Sequence, residues 1–546
     1  MKFKADQTYQ KLRGGYYTPG NVAEFLCDFA ITSHTHTILE PSCGDGAFLE
    51  ALAGKDSNIN AVHAVELDPE EAAKARAAGQ FLGKKLSVRS GDYFARNRLS
   101  IPAKQYDAVV GNPPYIRYQF LEPSMQVAAE SIFKSAGLKF SKHTNSWVTF
   151  VIDAVARLNP GGRLAMIIPS ELLNVLHAGS LRKYLLLECS KVLVIDNKEL
   201  VFENALQGTV LLLAQKKVDL APQVARLCLR VEQDLQYLGK SAKEIFDSSV
   251  FEESKATEAK WMPGLLTAAE RKVLAKAEGL SAVHRFGDIA QVEVGMVTGA
   301  NDYFLVSDST VDEFALHEIV SPMVGRSQHL PGIRYTSKRH LTNRQNDLPV
   351  NFVDFSKVAG GKLSAGMRRY IKHGETLGLN NRYKTRIRTP WYIVPSKWVP
   401  QLFLLKRSHY VPKLVLNETN ALNTDTAYRV STKVKAADFA FSFYNSLTAI
   451  SAELEGRSYG GGVLELVPSE IRRLLVPLVK VSQKDLDALD KKLINQEPNA
   501  EVLKEQDNIV LSAIGLTKTE IRTIQNARLK LQSRRLRQVN EVTDHA

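Results

Sequence analysis

Residues 106–120 read YDAVVGNPPYIRYQF, and the rest of the sequence is organised around this stretch. The apolar run Ala108–Val110 predicts a buried strand that ends in a loop with two adjacent prolines. Proline fixes φ and lacks an N–H, so the loop is predicted to be rigid. The Asn112 amide and the Pro113 carbonyl offer two hydrogen-bond acceptors, and Tyr115 offers a ring for stacking. The set suits a planar amine, although an ordinary proline-terminated turn has the same pattern.

The composition is that of a globular protein with a basic excess. Of 546 residues, 44% are hydrophobic and 24% charged, and 71 Lys and Arg stand against 58 Asp and Glu, a net charge of +13. A basic excess favours a polyanionic partner, and it also fits an ordinary solvated surface. The four cysteines are widely spaced, so we expect no metal site and no disulfide framework. We find no secretory signal at the N-terminus and no membrane-spanning run.

Acidic side chains follow the predicted strands that precede the loop. The strand Thr37–Leu39 leads into a glycine-rich turn and a helix, which is the nucleotide-cradling arrangement of a doubly wound sheet. The next strand ends in Glu66, 20 residues after Gly46, near the spacing at which an acid accepts from ribose hydroxyls. Asp92 follows a third strand. The carboxyl ends of parallel strands share one edge, so these groups and Asn112 should converge there.

Three further apolar runs complete a predicted sheet of seven strands, at Arg163–Ile168, Val192–Ile195 and Thr209–Ala214. We therefore predict an α/β fold, with a seven-stranded doubly wound Rossmann-like domain over residues 1–245. A C-terminal mixed α+β domain should occupy residues 246–546.

The second half contains a basic segment, Arg382–Lys413, with eight Lys and Arg, no acid, and interleaved aromatic residues. Such cations can neutralise phosphates, and Arg can also contact guanine in the major groove. A solvated charged face is the other interpretation. The candidate DNA contacts are Arg382, Lys384, Arg386, Arg388, Lys397, Lys406 and Arg407. The basic tail Lys518–Arg537 could lie on a DNA backbone or form a solvated surface helix, and both remain open.

Taken together, these residues resemble the gamma class of S-adenosylmethionine-dependent DNA methyltransferases that act on N6 of adenine, which includes the modification methylases of restriction systems. The resemblance rests on motif order: the Tyr17–Pro19 loop, the Glu40–Phe48 loop, Asn112–Tyr115 and a C-terminal recognition half. Segments of the C-terminal half also look like the target-recognition region of this family, namely Val294–Phe304, Pro390–Val394, Lys413–Glu418 and Ser458–Leu466.

The resemblance implies a role for each matching position. S-adenosylmethionine would be bound by Thr18, Glu40, Pro41, Ser42, Cys43, Gly44, Glu66, Asp92, Tyr93 and Pro114. The catalytic loop would be Asn112, Pro113, Pro114 and Tyr115. Tyr115 and Phe202 would sandwich a flipped-out adenine, and no metal would be required.

The resemblance thus implies a site-specific DNA methyltransferase acting on N6 of adenine in double-stranded DNA, as the modification enzyme of a restriction–modification system. We expect a cytoplasmic, DNA-associated monomer of a bacterium or archaeon, with no membrane partner and with any cognate endonuclease acting separately. Two alternatives remain: an N-methyltransferase of glutamine amides or RNA adenine, and a DNA-binding subunit of a defence complex. The first usually lacks a recognition half of about 300 residues.

Overall fold

In the computed structural model the chain forms two compact units. It describes residues 17–55, 58–95, 105–199, 201–202, 208–218, 224–358, 361–395 and 398–536. The first unit comprises Met1–Thr267, Ser458–Gly462 and Ser533–Ala546; the second comprises Ala268–Arg457 and Val463–Gln532. The functional boundary near residue 245 stays a prediction.

The first unit is built on a large mixed sheet. Its strands are β1 (Thr37–Glu40), β2 (Ala61–Glu66), β3 (Leu86–Ser90), β4 (Tyr106–Gly111), β5 (Leu158–Pro169), β6 (Cys189–Asn197), β7 (Thr209–Lys216), β8 (Ala225–Glu232) and β9 (Glu252–Ser254). Its helices are α1 (Gly20–Ala30), α2 (Ala47–Ala51), α3 (Pro69–Ala78), α4 (Pro123–Ser135), α5 (Ser146–Arg157), α6 (Gly179–Glu188) and α7 (Ala242–Ser248).

The α/β prediction is confirmed, and the sheet is wider than predicted. Its order is β3-β2-β1-β4-β5-β7-β6-β8-β9, with β7 antiparallel to both of its neighbours. All seven predicted strands are present. Two further strands, β8 and β9, extend the sheet beyond the seven that the sequence predicts. In β8 the apolar side chains Leu227, Leu229 and Val231 alternate with polar ones, the pattern of a half-buried strand.

Parallel pairing brings the predicted polar residues to one edge of the sheet. The strands β2, β1 and β4 run parallel side by side, with Glu40 opposite Ala64 and Leu39 opposite Val109. Glu40 and Glu66 are the last residues of β1 and β2. Asn112 directly follows β4, so its loop lies beside the carboxyl end of β1.

The second unit mixes short strands and helices, as expected of an α+β domain. Its strands are β10 (Val283–Arg285), β11 (Ala290–Val294), β12 (Leu305–Val306), β13 (Val320–Val324), β14 (Arg334–Tyr335), β15 (Asn351–Val353), β16 (Leu402–Leu405), β17 (Arg407–Ser408), β18 (Leu414–Asn417), β19 (Leu422–Asn423), β20 (Ala427–Thr432), β21 (Arg457–Tyr459, mostly in the first unit), β22 (Val463–Glu465) and β23 (Leu475–Pro477). The widest sheet has the order β11-β20-β16-β18-β14.

The helices of this half include three long ones near its C-terminus. In chain order they are α8 (Ala268–Glu278), α9 (Phe286–Ile289), α10 (Asn301–Phe304), α11 (Asp308–Glu313), α12 (Ser337–Gln345), α13 (Ala365–Thr376), α14 (Tyr383–Arg386), α15 (Ala436–Phe443), α16 (Ser446–Glu455), α17 (Pro468–Ile471), α18 (Gln483–Ile494), α19 (Asn499–Ala513) and α20 (Lys518–Arg535). Within the described ranges, no helix is long and apolar enough to cross a membrane.

The last turn of α20 belongs to the first unit and is buried there. The Arg534 guanidinium is ion-paired with Asp196 in β6, and both side chains are almost fully buried. Arg535 donates to the Gly462 carbonyl. These two cations therefore bind protein, so the end of the basic tail is neither a solvated surface helix nor a free phosphate-binding arm.

We predict that Arg534→Met lowers the free energy of unfolding by about 3–5 kcal/mol, because it leaves the Asp196 carboxylate buried without its cation. Urea denaturation would measure this change. Lys74→Met is the matched control, since Lys74 pairs with Glu71 at an exposed site and should cost at most about 1 kcal/mol. An Arg534→Met midpoint equal to that of the wild type would contradict the prediction.

Candidate active site

The loop that follows β1 is fixed to both neighbouring strands. The Cys43 amide donates to the Val65 carbonyl in β2 over 2.9 Å, and the Gly44 amide donates to Glu66 Oε2 over 2.9 Å. On the other side, Ser42 Oγ donates to the Asn112 carbonyl oxygen over 3.1 Å. The predicted cofactor loop and the Asn112 loop are therefore one connected structure.

Gly46 ends this loop at the start of α2, and only glycine fits there. Its φ is +101°, and a Cβ would come within 2.8 Å of the Ala75 Cα in α3. The tight turn brings α2 against α3 and leaves the loop Glu40–Gly44 at the carboxyl edge of the sheet.

Glu40 is a buried acid whose carboxylate oxygens have no hydrogen-bond partner among the residues that the structure describes. Its side chain is 1% exposed. Burial, together with the charges of Glu66 and Asp45, holds the pKa of Glu40 well above its usual range. A buried polar group without a partner is costly, so this site suits a ligand that brings a donor, and a cation above all.

Hydrogen bonds within the protein hold the side chains of the Asn112–Tyr115 loop in place. Asn112 Nδ2 donates to Thr18 Oγ1 over 3.3 Å, and the Tyr115 hydroxyl lies 2.9 Å from Asn112 Oδ1 and 3.2 Å from the Ile167 carbonyl. No residue in the described part of the chain donates to the Pro113 carbonyl. Within the described part of the chain, the acceptor lone pairs of that carbonyl are therefore not committed to a donor.

Ser146, which the sequence analysis did not single out, supports this loop from behind. Its hydroxyl donates to the Pro114 carbonyl and accepts from the Ile116 amide over 2.9 Å. A serine at the first position of α5 carries no distinctive sequence signal, so only the structure reveals this contact.

The predicted cofactor residues that follow β3, Asp92 and Tyr93, already make hydrogen bonds within the protein. Asp92 Oδ1 accepts from the Phe94 amide over 2.9 Å. Tyr93 is buried, its ring stacks on Phe150 with centroids 5.4 Å apart, and its hydroxyl donates to Asp153. The Tyr93 hydroxyl is therefore committed to Asp153, and the role of Tyr93 in cofactor binding stays a prediction.

Two other predicted residues are buried in the core of the first unit. Phe202 is 7% exposed and packs in the apolar cluster that includes Ile195 and Leu211, and its stacking role stays a prediction. Burial raises the pKa of the Cys43 thiol well above its usual value, and the charges of Glu40 and Glu66 add to this effect. Since the thiolate is the reactive form, Cys43 is not placed to act as a nucleophile.

In the second unit, the basic segment presents an exposed cluster at α14. Arg382, Lys384 and Arg386 are exposed, and the last two lie 5.5 and 5.7 Å from the ring centroid of Tyr383. Thr385 anchors the short helix, since its buried hydroxyl donates to the Leu379 or Arg382 carbonyl. The three cations form a surface that we call the α14 cluster.

The other cations of the basic segment Arg382–Lys413 are less available for contact with phosphates than the sequence suggested. The expectation of a segment without counter-charge is wrong for Lys406 and Arg407, because Glu465, distant in sequence, lies 3.2 and 3.6 Å from them. Arg388 donates to the Thr298 and Val297 carbonyls.

Two further lysines belong to the basic segment, Lys413 and Lys397, and the structure describes the first of them. The Lys413 ammonium donates to the Leu330 and Pro331 carbonyls over 3.1 and 2.8 Å. Burial lowers its pKa to about 8. Lys397 lies outside the described residues. The α14 cluster is therefore the part of the segment best placed to contact a polyanion.

The described residues contain no group of three or more His, Cys, Asp or Glu that could hold a metal ion. The four cysteines are free thiols.

Comparison with known proteins assigns each half of the chain. Residues 3–252 match the family model "N-6 DNA Methylase", and residues 258–511 match "Type II methyltransferase M.Eco57I, C-terminal domain". Type II methyltransferase M.AccI of Acinetobacter calcoaceticus is 24% identical over 523 residues, 92% of this chain and 91% of that protein. Type II methyltransferase M.XamI of Xanthomonas campestris pv. amaranthicola is 24% identical over 476 residues, 85% of each.

Among solved structures, the type IIG restriction endonuclease BpuSI aligns with a TM-score of 0.42 and 13% identity, covering 96% of this chain and 66% of that one. The two family models and the nearly full-length relatives carry the assignment without this likeness. The chain is a DNA methyltransferase of the restriction–modification type, and its residues 3–252 match the N-6 DNA methylase model.

Proposed function

We propose that this protein transfers a methyl group from S-adenosylmethionine to the N6 amine of a flipped-out adenine in double-stranded DNA, as a gamma-class enzyme. The observation that carries the proposal is the Asn112–Tyr115 loop, which is tied through Ser42 to the loop that contains Glu40. The Pro113 carbonyl in it accepts from none of the described residues. The family match of residues 3–252 supports N6 of adenine as the target.

The residues at the edge of the sheet fit the cofactor. S-adenosylmethionine carries an ammonium group, and Glu40 is a buried acid that lacks a partner among the described residues. Glu66 is fixed by amide donors from Gly44 and Asp68, and its remaining lone pairs suit ribose hydroxyls. Bound S-adenosylmethionine would supply the methyl group, which its sulfonium already activates.

The loop residues would activate the amine and orient it. The lone pair of an aryl amine is delocalised into its ring, so the nitrogen is a weak nucleophile. Asn112 Oδ1 and the Pro113 carbonyl would accept hydrogen bonds from the two N–H groups of the adenine amine. These hydrogen bonds would favour a more pyramidal nitrogen. Both acceptors are neutral and pre-positioned, since Thr18, Ser42 and Ser146 hold the loop. Catalysis then rests on positioning and electrostatics.

The target amine lies inside the base stack, so the adenine must be extruded at a cost of a few kcal/mol. Stacking of the extruded base on Tyr115 would offset about 1–3 kcal/mol of that cost. Phe202 would supply the second face if its ring becomes accessible in the complex.

The second half of the chain favours DNA over the alternative substrates. An enzyme for glutamine amides also presents two acceptors to a planar amine, so the loop alone does not separate the two. Residues 258–511 match the C-terminal domain of the type II methyltransferase M.Eco57I, and the relative M.AccI aligns over both halves. The intact loop also favours an enzyme over a non-catalytic DNA-binding subunit. So does the buried Glu40 carboxylate, which has no hydrogen-bond partner in the part of the chain that the structure describes.

The proposal is tested by offering duplex DNA, RNA and protein side by side with tritium-labelled cofactor. We expect label in duplex DNA that contains adenine, and none in duplexes of guanine and cytosine alone. Label confined to RNA or protein would contradict the proposal, and absence of cofactor binding by calorimetry would favour the non-catalytic alternative.

The α14 cluster gives a second expected result. Binding to non-cognate duplex should weaken steeply with salt, with a log–log slope that falls by roughly 0.9 for each phosphate-contacting cation removed. Replacing Arg382, Lys384 and Arg386 with glutamine should lower the slope by about three such steps, measured by fluorescence anisotropy. The charge-matched control replaces the exposed Lys480, Lys484 and Lys491. Equal slopes for the two triple variants would exclude the cluster as a contact.

A further inference from the structure

We propose that the Phe120 ring enters the base stack of the duplex and fills the space that the extruded adenine leaves. This inference rests on the proposed function and adds to it a residue that contacts substrate. Phe120 follows the catalytic loop by five residues, which span at most about 17 Å of extended chain. That length corresponds to about five base-pair steps, so the ring and Tyr115 act on the same short stretch of DNA.

Phe120 is an exposed aromatic residue without a packing role. Its side chain is 69% exposed, and none of the residues that the structure describes makes a ring contact with it. Burying a phenyl side chain typically stabilises a protein by about 1.5–3 kcal/mol, so its exposure forgoes a substantial gain. Apolar side chains that proteins insert between base steps have this character.

The turn that carries Phe120 is held firmly by its neighbour. Tyr118 is buried, packs on Phe140 with ring centroids 5.1 Å apart, and donates from its hydroxyl to Glu130 in α4. Gln126 of α4 donates to the carbonyls of Tyr118 and Leu121, on either side of Phe120. The ring therefore projects from a fixed base, which limits the entropy that its insertion would cost.

The same support joins this turn to the catalytic loop. The Tyr118 amide donates to the Thr144 carbonyl over 3.0 Å, and the Ser146 amide donates to the Ile116 carbonyl over 2.8 Å. Ser146 is also the residue that holds Pro114. The same hydrogen bonds therefore position both Tyr115 and Phe120. Such shared support is needed if Tyr115 is to bind the flipped base while Phe120 fills the space that the base leaves.

The surroundings of Phe120 suit a polyanion. The segment 117–142 carries four exposed cations, and their charged side-chain groups make no hydrogen bond or ion pair with any described residue: Arg117, Lys134, Lys139 and Lys142. Of its two acids, Glu122 and Glu130, the second accepts the Tyr118 hydroxyl. Phosphates on either side of an inserted ring would meet these cations.

The test compares two duplexes that carry the sequence found to be methylated, one with the target adenine paired to thymine and one with it opposite an abasic site. In the second duplex the adenine is already unpaired, so a filler of the stack matters less. On the paired duplex we expect Phe120→Ala to lower kcat/KM by about 10- to 100-fold, the loss expected for one base–aromatic stack. On the abasic duplex the loss should stay below about threefold, and Phe120→Trp should retain activity on both.

Phe81→Ala is the matched control, because Phe81 is 48% exposed in the same unit and lies far from the loop in sequence. It should leave kcat/KM unchanged on both duplexes. An equal loss for Phe120→Ala on the two duplexes, or no loss on the paired one, would overturn the inference while the proposed function stands. Failure to find any methylated adenine from which to design these duplexes would instead refute the proposed function, and this inference with it.

Discussion

Replacing Asn112 with alanine should reduce methyl transfer by about 10²–10³-fold or more, because it removes one of the two acceptors that polarise the target amine. The backbone should be unaffected, since Ser42 binds the Asn112 carbonyl rather than its side chain. Affinity for cofactor and for DNA should therefore stay largely intact. Single-turnover tritium transfer measures the loss, and calorimetry measures cofactor binding.

Asn60→Ala provides the matched control for this variant, because Asn60 is an exposed asparagine of the same unit. It should transfer methyl groups at the wild-type rate. Full activity of Asn112→Ala would refute the assignment of the catalytic loop, whereas a loss of cofactor affinity equal to the loss of rate would indicate a structural role.

Glu40→Gln should weaken the binding of S-adenosylmethionine by about 10²–10³-fold, the range for losing one partner of a buried charge pair. The variant keeps the size of the side chain and removes the charge that the ammonium requires. Calorimetric titration of the cofactor measures the effect. Glu50→Gln, at an exposed position of α2, is the matched control and should bind as the wild type does.

The raised pKa of Glu40 gives this prediction a dependence on pH. Without ligand the carboxyl binds its proton more tightly in the folded protein than in the unfolded one, whose glutamate pKa is about 4.3. The free protein should therefore lose stability as pH rises from that value through the folded pKa, and Glu40→Gln should not show this loss.

Cofactor affinity should show the opposite trend. It should rise with pH in the wild type, because the ionised carboxylate is the form that pairs with the ammonium, and it should be flat in Glu40→Gln. Equal pH profiles of affinity for the two proteins would exclude Glu40 as the ammonium partner.

Strands with a strong apolar run could be predicted from the sequence, while weaker ones could not. Five of the seven predicted strands, β1 and β4 to β7, are buried over most of their length, as with Val192–Ile195 in β6, whereas β2 and β3 are partly buried. β8 is only half-buried, and Arg226, Arg230 and Glu232 interrupt its apolar residues. A strand whose only signal is the alternation of apolar and polar side chains over eight residues is easily missed, because its charged residues mask the apolar ones.

The positions of the site residues followed from the fold, but their partners did not. Parallel strands place Glu40, Glu66 and Asn112 at one edge, whatever the details of packing. By contrast, Glu465 reaches Lys406 and Arg407 from more than 50 residues away, and no local pattern announces it. The same holds for Ser146 behind Pro114 and for Asp196 beside Arg534.

The most direct test of the central claim is modified-base sequencing of genomic DNA from cells that express the wild-type protein or Asn112→Ala. We predict N6-methyladenine at one adenine of a single recurring sequence with the wild type, and unmodified adenine at the same positions with the variant. Unmodified DNA from wild-type cells, or a methyl group on cytosine, would contradict the claim.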